Sequence, residues 1–104
     1  MANNLNLLAG LLSNNIFNDE KLIQEVWEKG KPVPGLDDRH WRYDADGRMI
    51  CRSDHGKRDS AYGWEKDHIV PTAVGGLDIL SNLRPLHCKG NSLRGGLLSA
   101  LLRK

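Results

Sequence analysis

The stretch from Trp64 to Asn91 limits what this chain can fold into more than any other part of it. It holds an adjacent Asp67-His68 pair, Pro71, the doublet Gly75-Gly76, and then Asn82, Pro85, His87 and Asn91. If Trp64 to Val70 is a strand, side chains alternate along it, so Asp67 and His68 point to opposite faces. Proline cannot continue a ladder and glycine accepts positive φ, so Pro71 and Gly75-Gly76 mark an irregular loop that bends the backbone after His68. A second apolar run, Leu77 to Leu86, returns the chain toward the first strand. Beyond Pro85, the segment from His87 to Arg94 reads as the start of a helix, with His87 and Asn91 one turn apart on a single face. The expected local plan is strand, loop, strand, helix.

These residue types suit one kind of chemistry. Metal-assisted hydrolysis of a phosphodiester needs an oxygen-ligated divalent cation to stabilise developing charge and an imidazole near neutrality to activate water. An ordinary imidazole titrates near pH 6.5, so a histidine base needs little tuning. An Asp beside an Asn amide is a hard donor set of low charge, which favours Mg²⁺ or Mn²⁺ over a tightly held zinc. A contribution from His87 would shift that balance toward softer metals.

The positions of these residues are specific. The run Trp64-Glu65-Lys66-Asp67-His68-Ile69-Val70-Pro71 is followed by Gly75-Gly76, by Ser81-Asn82-Leu83-Arg84-Pro85-Leu86-His87, and by Asn91. Fourteen positions separate His68 from Asn82, and nine separate Asn82 from Asn91. In these motifs and both gaps, the chain resembles the HNH endonucleases of the ββα-metal (His-Me) finger superfamily, which includes bacterial restriction enzymes and colicin nuclease domains. Upstream, Trp41-Arg42, Asp44, Gly47, Ile50 and Tyr62-Gly63-Trp64 are similar to small stand-alone members, so the resemblance covers about residues 39–96. It implies an α+β fold with a ββα-metal core. It implies His68 as general base, Asn82 as the residue that orients the loop holding His68, and Asp67 and Asn91 as ligands of a catalytic Mg²⁺ or Mn²⁺. His87 is left between a supporting role, a direct metal ligand and a helix-start residue, the supporting role being preferred. DNA is the implied substrate.

Many members of that family also carry two Cys-x-x-Cys pairs around a structural zinc. Here Cys51 stands in the first set with Asp54 where its partner would be, and His87 and Gly90 occupy the second, with Cys88 one position off. A site from Cys51, Asp54, His55, His87 or Cys88 is conceivable, but with no Cys-x-x-Cys a structural zinc is not expected. Packing must replace it.

The chain has 104 residues and a formal net charge of +2. Residues 1–38 hold three basic and six acidic side chains, against twelve basic and seven acidic in residues 39–104. Arg52, Lys57, Arg58, Arg84, Lys89 and Arg94 surround the motif as candidate phosphate contacts, which would give affinity without sequence information. The plain alternative is a solvated basic surface. His40 and His55 lie outside the motif and read as ordinary polar histidines. Trp41 and Trp64 read as core, and Tyr43 and Tyr62 remain as side chains that could meet a base.

The rest reads as support: residues 1–38 as a helical region packed on a nuclease domain at 39–104, in one compact domain overall. Leu5, Leu8, Leu11 and Leu12 share a helical spacing, and Asn18 or Asp19 caps a second helix whose apolar face is Leu22, Ile23, Val26 and Trp27. Gly30 ends it, and Lys31 to Gly35 reads as an extended connection. The acidic face of these helices could meet a protein partner or a second copy of the chain. The tail from Gly95 to Lys104 reads as a resumed helix. Two cysteines, no basic leader before an apolar core and no run long enough to span a bilayer make the cytoplasm the default expectation and a membrane location not expected. Two other functions fit the same residues: a finger that binds nucleic acid without cutting it, and a toxin or effector DNase restrained by an immunity protein.

Overall fold

The computed structural model describes residues 19–91. The expected helix at Leu5–Leu12, the tail from Gly95 and the side chain of Arg94 lie outside them. The apolar face expected at Leu22, Ile23, Val26 and Trp27 is present. Residues 19–27 form helix α1, whose inner face carries Ile23, Val26 and Trp27 into the core, with Leu22 packed at its margin. Two turn bonds, Lys29 N–H to Val26 O at 3.1 Å and Gly30 N–H to Trp27 O at 3.0 Å, close the helix.

Two antiparallel sheets follow. The first runs in the order β1 (Lys31–Pro32), β2 (Trp41–Tyr43), β3 (Met49–Cys51), with Lys31 opposite Tyr43 and Trp41 opposite Cys51. The extended connection expected after Gly30 is thus an edge strand, where Pro32 has no outer neighbour to which an N–H must be given. The boundary expected at residue 38 also separates β1 from the strand it pairs with. The second sheet is the hairpin of β4 (Trp64–His68) and β5 (Leu83–His87), in register from Trp64 opposite His87 to His68 opposite Leu83. Residues 88–91 are helical and are labelled α2. The chain is therefore α+β.

Three expected boundaries move. The first strand of the hairpin stops at His68 rather than Val70. The apolar run Leu77–Leu86 is a strand only from Leu83, after a 3₁₀ turn at Leu80–Asn82. His87 is the last residue of β5, not the first of a helix, because its N–H is held by Asp44 Oδ2 at 2.8 Å while it lies opposite Trp64.

One core serves both the helix and the hairpin. Ile23, Val26, Trp27, Ile50, Trp64 and Leu83 form a single buried cluster, and the rings of Trp27 and Trp64 meet at 5.3 Å between centroids. Each indole removes about 200 Å² from water, worth on the order of 5 kcal/mol before chain entropy is counted. Their N–H groups are satisfied by Asp38 O at 3.2 Å and Arg52 O at 3.4 Å. Trp41 departs from the expectation of core: it is half-buried and meets the ring of Tyr62 edge to face at 5.0 Å. Among the described residues no helix is long and apolar enough to cross a membrane.

A buried carboxylate ties the two sheets. Asp44 is 2% exposed; Oδ1 accepts the N–H groups of Asp46 and Arg48 across the β2–β3 turn at 2.9 and 2.8 Å, and Oδ2 accepts that of His87. Asp44→Ala would leave three part-buried backbone donors without their acceptor, so stability should fall by about 3 kcal/mol with an unchanged slope in urea unfolding.

His55 lies in a bridge with Trp64, its ring 4.7 Å from the indole, and burial there holds its pKa below the ordinary imidazole value. The unfolded chain takes up this proton near pH 6.5 and the folded chain only at lower pH, so protonation favours unfolding. Stability present above about pH 6.5 should therefore decline as pH falls below it, and the decline should be shallower in His55→Gln, read as denaturation midpoints between pH 8 and 5.

Candidate active site

Strand β4 carries the candidate residues. Pairing and alternation put Glu65 and Asp67 on one face with Arg84 and Leu86, and Trp64 and His68 on the other with Leu83 and His87. Asp67 and His68 therefore diverge, as the strand reading requires. Asp67 Oδ2 accepts from Arg84 Nε at 2.9 Å in a largely enclosed ion pair. Arg84, expected among the phosphate contacts, is thus committed to the candidate metal ligand on the neighbouring strand. Two residues back on the same face, Glu65 accepts from Asn91 Nδ2 at 2.8 Å and from Arg58 Nε at 2.7 Å. This contact brings the first turn of α2 over the acidic face of β4.

After His68 the chain enters the segment 69–82. Its ends are held by Asn82, whose Oδ1 accepts Val70 N–H at 2.8 Å while Nδ2 donates to Val70 O at 3.1 Å and Leu77 O at 2.8 Å. Ile69 N–H adds a bond to Asn82 O at 2.8 Å. Gly75, at φ 95°, supplies the left-handed step after the turn at Thr72–Val74. At Gly76 a side chain would collide with the carbonyl oxygen of Val70, so only glycine lets the loop close on itself. Ile69, Val70, Val74, Leu77 and Ile79 all remain exposed and only Leu80 packs on the core, so the loop is shaped mainly by its hydrogen bonds to Asn82. Within it, Asp78 Oδ1 lies 3.2 Å from Nε2 of His68.

His87 is occupied otherwise. Its Nε2 lies 2.7 Å from Ala61 O and its Nδ1 accepts Lys89 N–H at 3.0 Å, so both ring nitrogens serve the backbone and neither is turned to a metal. Its part is to join β5, α2 and the Ala61 loop. Among the described residues no three His, Cys, Asp or Glu side chains converge as a metal set. Cys51 and Cys88 are free thiols, and burial, with Glu65 nearby, pushes the Cys88 thiol up, away from the thiolate that zinc binds. In donor chemistry a divalent cation would suit Asp67 and Asn91: both offer hard oxygen atoms, and with Nδ2 given to Glu65 the amide oxygen of Asn91 is the atom that could ligate. Arg84 is the competitor on the Asp67 side.

The other described basic candidates fall in three settings. Arg52 bonds Gln24 Oε1 at 2.9 Å and lies 5.9 Å over the Trp64 ring, so its guanidinium links α1 to β4. Arg58 and Lys89 line an open groove with Arg48, Tyr62 and His87 where β5 passes into α2. Lys57 is exposed beside Asp54 at 3.8 Å.

Glu65 and Asp78 were not singled out by the motif. Strand alternation points to Glu65, two residues from Asp67; Asp78 depends on how the glycine doublet turns the chain, which no periodicity reports. Comparison with protein-family models, curated proteins and solved structures gives no match, so the functional reading rests on the chain's own residues and their geometry.

Asn82→Ala removes three loop bonds at once. It should cost about 2 kcal/mol and raise amide exchange at Val70 by at least tenfold, while exchange in α1 follows global stability alone.

Proposed function

We propose that the chain is a metal-dependent HNH endonuclease that hydrolyses DNA phosphodiester bonds. The observation that carries this reading is the Asn82 clamp: the amide fourteen residues after His68 bonds both backbone groups of Val70, which steadies the exit of the strand bearing the candidate base. Further support comes from the order β4, β5, α2, read as the ββα-metal core, and from the approach of Asn91 to the acidic face of β4.

In this reading His68 accepts a proton from water as that water attacks phosphorus, and the bond to the 3′ oxygen breaks. Asp67 and Asn91 hold Mg²⁺ or Mn²⁺, which when bound stabilises negative charge on the phosphate and on the leaving oxygen. Asn82 fixes the backbone from which His68 projects. Lys57, Arg58 and Lys89 contact phosphates away from the scissile bond. One site per chain nicks one strand, and a paired cut requires two copies.

The Arg84–Asp67 ion pair favours a second reading, a nucleic-acid-binding finger without chemistry, because it gives Asp67 a counter-charge that needs no metal. Supercoiled plasmid separates the two. The endonuclease should nick it with Mg²⁺ or Mn²⁺ and not with EDTA. His68→Ala should lower the rate by roughly 10²–10⁴-fold, and Asn91→Ala should raise the metal concentration required. Intact plasmid under every metal, with DNA still shifted on a gel, would establish the binding finger instead.

A further inference from the structure

The loop that Asn82 holds also delivers a carboxylate to His68. Residues on both sides of Asp78 are bonded to Asn82: Leu77 O accepts from its Nδ2 at 2.8 Å and Ile79 O from its backbone N–H at 2.9 Å. Asp78 is thereby bracketed, and its Oδ1 stands 3.2 Å from His68 Nε2. An ionised carboxylate can only accept hydrogen bonds, so the shared proton belongs to Nε2. In the neutral ring Nδ1 then carries the lone pair.

The geometry points to Asp78 as a positioning residue, which holds the His68 ring in its Nε2–H form and turns Nδ1 toward the water to be deprotonated. Asp78 touches no reacting atom; it acts through the orientation and tautomer of the imidazole. The inference rests on the endonuclease reading for its functional half only, because the tautomer is a property of the folded chain. Asp78 is 69% exposed on its side chain, so replacing it removes no part of the core.

The test compares the wild type with Asp78→Ala and Asp78→Glu, by long-range ¹H–¹⁵N spectra of the His68 ring and by plasmid nicking. At pH about 8.5 the ring ¹⁵N shifts distinguish the two neutral tautomers from the doubly protonated ring. The wild type should show the proton on Nε2, and Asp78→Ala a mixture of both forms at an unchanged melting temperature. Its kcat for nicking should fall roughly tenfold with KM unchanged, a fraction of what a general base supplies, and Asp78→Glu should recover most of the loss. A wild-type proton on Nδ1, or an Asp78→Ala spectrum identical to the wild type, overturns the proposal. A wild type that nicks nothing, yet shows an Nε2–H form dependent on Asp78, upholds the pairing and overturns the endonuclease reading alone.

Discussion

The contact between Trp27 and Trp64 is the point from which the rest of the structure is hung. It joins α1 to the first residue of β4, and both indoles are fully enclosed. Once Trp64 is driven inward, the pleat decides where its successors go: Glu65 and Asp67 to the opposite face, His68 to the same side but past the edge of the core. A shift of one residue would exchange these faces and put carboxylates against apolar side chains, which burial forbids. The register of the site is therefore set by the aromatic anchor at its beginning, not by the polar residues themselves.

Around that anchor the acidic groups are shared out among partners. Asp44 serves the backbone of two sheets, Asp67 meets Arg84, Glu65 meets Arg58 and Asn91, and Asp78 meets His68. These pairs sit at different depths. The Asp44 bonds are buried and structural, whereas Arg58 and Asp78 reach into solvent, where an ion pair contributes little to stability. A group that stabilises little can be kept for what it does to its neighbour.

The plan of strand, loop, strand and helix was legible because it depends on local signals: alternation up to His68, the proline and glycine doublet, and the apolar return. The amphipathic face of α1 was legible for the same reason. Cross-strand relations were not. That Arg84 stands opposite Asp67 follows from the register of two strands joined by a long loop, and composition offered only a basic residue near a motif. His87 was assigned to a helix because spacing to Asn91 fits one turn, but a carboxylate forty-three residues earlier holds its N–H in the strand. Lys31-Pro32 read as a connection because a two-residue edge strand has no period of its own.

The loop beside His68 owes its shape to one amide, two glycines and the packing of Leu80 at its end, while five of its apolar side chains face outward. Form and lettering are thus uncoupled there. Ile69, Val70, Val74, Leu77 and Ile79 can be exchanged at little cost to the fold, since none contributes to the buried cluster. A segment of that kind lets the surface next to a fixed histidine be rewritten residue by residue while the frame beneath it stays the same.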